Sequence, residues 1–194
     1  MSRLANDELK TITEQHPKRL GGFAALPMQD AVAAADELER CVKQLGFHGA
    51  LINSFSNLGD ENIIEFLDEE KYFPFWERVQ ELDLPVYLHP RNPPLSQQMM
   101  YRDRPELLAA TWAFLVETST HALRLITSGL FDRYPNVQIC LGHLGEALPF
   151  CIWRLSTVYA QKVPNSKLKK DIRGYLSSNC LLYTSDAADD SLRV

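Results

Sequence analysis

The sequence predicts an α/β fold: a parallel sheet crossed by helices, forming part of a (β/α)8 barrel. Three observations lead there. Apolar runs of strand length are followed by stretches of helical periodicity four times in succession, and parallel strands need a helical crossover to return the chain. Neither G-x-G-x-x-G nor G-x-x-x-x-G-K-S/T occurs, so the glycine-rich loop typical of open nucleotide-binding sheets is missing and the closed barrel gains. The chain has 194 residues, whereas a whole barrel takes about 250, so about four central βα units of the eight are expected.

Taken in order, residues 4–14 read as a helix with Leu4, Leu9 and Ile12 apolar, starting without a capping signal. Residues 22–27 form the first strand, closed by Pro27. Asp30 then caps a helix whose Val32, Ala35, Leu38, Val42 and Leu45 recur at helical spacing before Gly46. Residues 49–53 are the second strand, and residues 72–82 a helix with Pro74 tolerated in its first turn. Residues 85–89 are the third strand. They run into a loop with Pro90, Pro93 and Pro94, then a long helical region between residues 107 and 131. Residues 137–143 are the fourth strand, and residues 147–161 a helix with Leu148, Cys151, Ile152, Leu155 and Val158 on one side. The last fifteen residues show neither strand alternation nor an apolar stripe and resemble translated sequencing-adapter DNA. The expected organisation is a partial barrel domain over 1–179 and a non-native tail over 180–194.

Composition narrows the function classes. With 45% hydrophobic and 23% charged residues the chain is an ordinary globular one. No apolar run is long enough to span a membrane and the start is polar, so a soluble, cytoplasmic protein is expected. The net charge of -5 is scattered in both signs without a basic stripe, which argues against nucleic acid as a partner. Cys41, Cys140, Cys151 and Cys180 form no paired framework and read as buried or free thiols.

His89 and His143 each end an apolar strand, the place where barrel enzymes bring side chains from different strands together. Imidazole serves equally as a metal ligand or as an acid/base near neutrality, and the residues alone leave both roles open. Glu146 follows His143 by three residues across a strand-to-helix turn, so its carboxylate can turn back and orient the ring. Cys140 and His143 have zinc-like spacing, but strand residues three apart face opposite ways, so they are not a shared ligand pair. Arg154 lies eight positions beyond Glu146, about 12 Å along a helix, too far to serve the same pocket unless a second subunit presents it. Asn53 closes the second strand and is placed either to reach the pocket or to form a turn; Arg91 and the Pro93-Pro94 loop border it. His16, His48 and His121 read as surface or packing residues.

Several blocks in one order, Tyr87-Leu-His-Pro-Arg-Asn-Pro93, Leu141-Gly-His-Leu-Gly-Glu-Ala-Leu-Pro149 with Trp153-Arg154, and Phe23-Ala-Ala-Leu-Pro27, resemble the decarboxylase branch of the amidohydrolase superfamily. The resemblance is to the 2,3-dihydroxybenzoate and gamma-resorcylate decarboxylases in particular. It implies a distorted barrel with one divalent metal ion, zinc or manganese, and no organic cofactor. It implies that His89 is a metal ligand, that His143 and Glu146 form a dyad beside a small aromatic carboxylic acid, and that Arg154 reaches the pocket of an adjacent subunit in a homodimer or homotetramer; Asn53, from its place at the strand end, is the other candidate substrate-binding residue. The implied reaction is non-oxidative decarboxylation of an ortho-hydroxybenzoic acid. Metal-dependent hydrolysis and a non-catalytic fragment are the alternatives. The family's Glu-x-His (or His-x-His) motif on the first barrel strand and its last-strand aspartate have no counterpart here, so only His89 of the ligand set is expected in this chain, which is accordingly expected to be an inactive fragment.

Overall fold

A computed structural model describes residues 1–57 and 59–182. Helix α1 (Ser2–Gln15) opens the chain without a side-chain cap, and strand β1 (Ala24–Ala25) follows. Asn6 of α1 takes the place of a neighbouring strand for β1. Its amide nitrogen donates to the Ala25 carbonyl and its oxygen accepts the Ala25 N–H, both at 2.9 Å. Helix α2 (Ala31–Leu45) begins as the sequence predicts, with the Asp30 carboxylate accepting from the N–H groups of Val32 and Ala33, each at 3.0 Å. It ends at Gly46, whose φ of 71° is the left-handed cap that glycine adopts without penalty.

Strand β2 (Ala50–Asn53) leads into a small antiparallel ribbon of β3 (Ser56–Asn57) and β4 (Ile64–Glu65), then a 3-10 turn and α3 (Phe73–Leu82) with Pro74 in its first turn. Strand β5 (Pro85–His89) has the bounds expected from sequence. After it come 3-10 turns between residues 95 and 111, helix α4 (Ala113–Thr127), the short α5 (Leu130–Arg133) and strand β6 (Gln138–Leu141). The chain continues through a tight turn, α6 (Gly142–Gly145), to α7 (Leu148–Lys162), α8 (Ile172–Asn179) and β7 (Cys180–Leu182).

Among the described residues the main sheet runs β1-β2-β5-β6-β7 and every pairing in it is parallel. That is four strand-helix units and a further strand, as a stretch of a (β/α)8 barrel requires. The core lies between the sheet and its helices, where Leu38, Phe75, Trp76, Leu88, Leu125, Ile139 and Leu141 are each at most 1% exposed. Among the described residues no helix is long and apolar enough to cross a membrane.

The structure departs from the sequence reading in four places. Val32, expected on the buried face of α2, is 57% exposed, because the helix turns Ala34, Ala35, Leu38 and Cys41 inward instead. On α7 only Leu148 and Ile152 are buried; Cys151 and Val158 face outward, since this helix packs chiefly on α8 rather than along the sheet. The fourth strand stops at Leu141, two residues before His143, where the backbone leaves the extended region. The fifteen-residue tail is not without strand character: Cys180, Leu181 and Leu182 pair with Ile139, Cys140 and Leu141. The unpaired edge of β6 supplies the ladder that periodicity alone does not reveal. The remaining tail residues, 183–194, lie outside the described residues.

Candidate active site

Parallel strands that end together bring their C-terminal residues to one rim. In the β2–β5 ladder Asn53 stands directly opposite His89, and Leu88 is opposite Leu141, so His143 follows just past the same rim. A cavity of about 450 Å³ opens beside Asn53, lined also by Leu26, Ser54, Phe55 and Arg91; His89, His143 and Glu146 are not in its lining.

His89 is partly buried, its ring flanked by Tyr87 at 6.1 Å and Phe114 at 6.5 Å between centroids. Its Nδ1 lies 2.9 Å from the Pro90 carbonyl. A carbonyl only accepts, so Nδ1 carries the proton and Nε2 the lone pair, the tautomer a metal-ligating imidazole needs.

His143 and Glu146 are joined by an unusual stretch of backbone. His143 (φ 51°, ψ 43°), Leu144 (φ 57°, ψ 33°), Gly145 (φ 74°) and Glu146 (φ 56°, ψ −130°) all have positive φ. A left-handed conformation costs an L-residue about 1–2 kcal/mol, and such strain persists where the surrounding structure over-determines it, often at functional sites. Here it folds the chain back so that Glu146 Oε1 accepts from His143 Nδ1 at 2.5 Å, with the glutamate side chain 8% exposed and the imidazole 31%. Nδ1–H is thereby committed and Nε2 is left to exchange a proton. A β-carbon at Gly142 would come within 2.5 Å of the Tyr87 hydroxyl oxygen, so a larger residue there would displace the end of that side chain. Cys140 stays in β6, its thiol pushed up by burial.

Arg154 lies exposed on α7 and forms no ion pair among the described residues, while Phe150 and Trp153 beside it are 90% and 67% exposed. Asn53 and His89 are thus brought together on one rim with the His143–Glu146 pair close by, and Arg154 is not brought to them. Among the described residues no group of three or more His, Cys, Asp or Glu side chains is arranged to hold a metal ion. These residues fit one ligand, His89, and do not amount to a metal centre.

Sequence reasoning missed one member of the rim. Glu117, in the middle of α4, is 8% exposed; its Oε1 accepts from the Ser54 hydroxyl, and its Oε2 from the Arg91 backbone N–H at 3.3 Å. Burial pushes its carboxyl up to about 7, the charge of Glu146 adding to the rise while Ser54 and Arg91 oppose it. One turn on, His121 is fully buried, its Nε2 accepts from Leu67 N–H at 3.1 Å, and burial lowers it to about 3. The one signal in the sequence was an isolated acid within the apolar stretch Ala113-Phe-Leu-Val-Glu-Thr118.

The family model described as "Amidohydrolase" matches residues 2–160. The chain is 50% identical over 186 residues to a gamma-resorcylate decarboxylase of Polaromonas sp. strain JS666, covering 95% of this chain and 57% of that protein. The crystal structure of a dihydroxybenzoic acid decarboxylase from Polaromonas sp. JS666, with bound manganese and the inhibitor 2-nitroresorcinol, superposes with a TM-score of 0.89 at 49% identity over 94% of this chain and 56% of that one. That of a 2,6-dihydroxybenzoate decarboxylase from Rhizobium gives 0.90 at 45% identity over 96% and 58%. The chain therefore spans little more than half the length of the relatives it matches.

Proposed function

This chain belongs to the amidohydrolase family, and from that premise we propose that the full protein is a metal-dependent, non-oxidative decarboxylase of ortho-hydroxybenzoic acids, with gamma-resorcylate (2,6-dihydroxybenzoate) or 2,3-dihydroxybenzoate as the substrate class. The observation that carries the reading is the His143–Glu146 pair, held at 2.5 Å by a strained turn on the rim that presents His89, in a chain half identical to a gamma-resorcylate decarboxylase.

In the proposed reaction the ring carbon bearing the carboxylate gains a proton, the bond to the carboxylate breaks, its electron pair restores the aromatic ring, and carbon dioxide leaves. His143 moves a proton at Nε2, and Glu146 fixes the tautomer and neutralises the imidazolium when it forms. Asn53 offers its amide to the ring substituents. His89 Nε2 would be one ligand of a single divalent ion, zinc or manganese, which supplies charge neutralisation for the substrate's anions when bound. A catalytic centre of this kind takes about three protein ligands. The 194-residue chain alone, with His89 as the one ligand its described residues fit, is therefore proposed to be inactive. No organic cofactor is required by this chemistry.

Arg154, with exposed Phe150 and Trp153 on the same face of α7, is proposed to enter a neighbouring subunit's pocket in a homodimer or homotetramer. The free cysteines support a cytoplasmic setting, and neither nucleic acid nor membrane is a proposed partner.

The test is His143→Ala in the full-length protein, following carbon dioxide release from 2,6-dihydroxybenzoate. The expected loss in kcat is about 10²–10⁴-fold; turnover within about tenfold of wild type would mean that the dyad is misassigned.

A further inference from the structure

We propose that Glu117 is a positioning residue that fastens the segment carrying Asn53 to the segment carrying His89. The catalytic part of this inference rests on the decarboxylase reading; the fastening itself does not.

The β2–β5 ladder ends with Asn53 opposite His89, so beyond that pair no strand pairing keeps the two loops in register. Glu117 takes over there. One carboxylate oxygen accepts from Ser54, the residue after Asn53, and the other from the backbone N–H of Arg91, two residues after His89. Arg91 adds a second tie between the same loops. Its Nη1 donates to the Phe55 carbonyl at 3.1 Å and its guanidinium lies 4.5 Å from the Phe55 ring centroid. Ser54 is 1% exposed and has φ 50°, a conformation that costs a residue with a β-carbon. Its hydroxyl bond to Glu117 reaches from another element to hold that strained residue in place.

Packing alone does not call for a carboxyl at this position. No Lys or Arg side chain forms an ion pair with Glu117 among the described residues, and an apolar pocket of about 120 Å³ lined by Phe55, Ile64, Phe66 and Val116 borders it. His121 Nδ1 lies 3.9 Å from Glu117 Oε1 but burial keeps that ring neutral, and Arg91 attracts the carboxylate without forming an ion pair, so the buried carboxyl remains a net cost. What the site obtains in return is two acceptors aimed at two different loops, which no apolar side chain offers.

The test compares Glu117→Met and Glu117→Gln in the full-length protein by hydrogen-exchange mass spectrometry and by kinetics. Methionine keeps the volume and removes both ties. Glutamine keeps both, its oxygen accepting from Arg91 N–H and its amide donating to Ser54, whose hydroxyl can also accept. Expected is faster amide exchange in Glu117→Met over residues 53–57 and 89–93 together, the core strands staying protected, with kcat lowered about 10²-fold. Glu117→Gln should restore both readouts. Unchanged exchange in either loop overturns the fastening, and loosened loops with kcat within about twofold of wild type overturn the catalytic role. Should Glu117→Met lose protection throughout, Ser54→Ala cuts one tie only: faster exchange at 53–57 supports the proposal and unchanged exchange overturns it. A wild-type protein that releases no carbon dioxide fells the decarboxylase reading, while the exchange data still decide whether Glu117 ties the loops.

Discussion

Glu37 and Glu117 are buried to nearly the same degree, 6% and 8% exposed, yet the first titrates near 2 and the second near 7. Around Glu37 the helices supply a cation and several donors. Arg40 donates through Nε and Nη2 at 2.9 and 2.7 Å, Asn6 at 2.8 Å, and Arg3 approaches at 3.3 Å. Through Asn6 the same cluster reaches the edge of β1, so the pair ties α1, α2 and the sheet together. Around Glu117 the donors are one hydroxyl and one backbone N–H, with the negative Glu146 near enough to raise it further. At Glu117 burial is the leading influence and its two donors do not offset it, whereas at Glu37 the hydrogen-bonded Arg40 guanidinium outweighs the cost of burial. One region spends its buried charge on holding elements together, and the other keeps a weak acid behind the candidate site.

The most severe way to break the contrast is Arg40→Met, which removes the hydrogen-bonded guanidinium and leaves the buried Glu37 with only the exposed Arg3 at 3.3 Å. A loss of about 3 kcal/mol at pH 7 is expected from urea unfolding of the full-length protein. Because the Glu37 carboxyl is lowered from 4.5 to about 2, its contribution is present above pH 4.5 and vanishes as pH falls through 2. The gap between variant and wild type should narrow over that window. A gap that stays constant down to pH 2 would remove Arg40 as the cause.

Glu117→Gln sharpens the other side. A carboxyl raised from 4.5 to about 7 favours the folded state only while protonated, so its contribution is complete below pH 4.5 and is lost as pH rises through 7. Wild type should lose about 2 kcal/mol relative to Glu117→Gln between pH 5 and pH 8. Parallel stability curves for the two proteins would contradict the raised value. The smallest effect belongs to Ser54→Ala, about 1 kcal/mol from the lost hydroxyl donor. With that donor gone the Glu117 carboxyl should titrate still higher, read by carbon-13 NMR of labelled glutamate; a downward move would show that Ser54 does not stabilise the charged form.

The local parts of the fold were legible in the sequence because they rest on neighbours in the chain. Asp30 and Gly46 bracket α2 as expected, and β5 has the bounds its apolar run predicts. Residues 143 and 146 were recognisable as a pair because three positions separate them, but the positive-φ backbone that joins them was not, since leucine and glutamate carry no preference for it. Which face of α2 and α7 is buried depends on the partner each helix meets: Val32 and Val158 lie outside despite their periodicity. Glu117 was invisible for the same reason. Its partners Ser54 and Arg91 lie 63 and 26 positions away in the chain, and only the folded sheet brings their loops to one helix.

In the turn from His143 to Glu146 all four residues have positive φ, and at His143 and Leu144 the backbone is of opposite hand to the helices around it. Substitution there is filtered by chirality before chemistry is considered. At Leu144, 47% exposed with φ 57°, glycine, or a D-amino acid placed by chemical ligation, would sit without strain, whereas every β-branched residue would be rejected. A leucine kept at such a position is kept for its side chain and against its backbone, so the range of residues tolerated at 144 in a selection for activity would measure what that side chain touches.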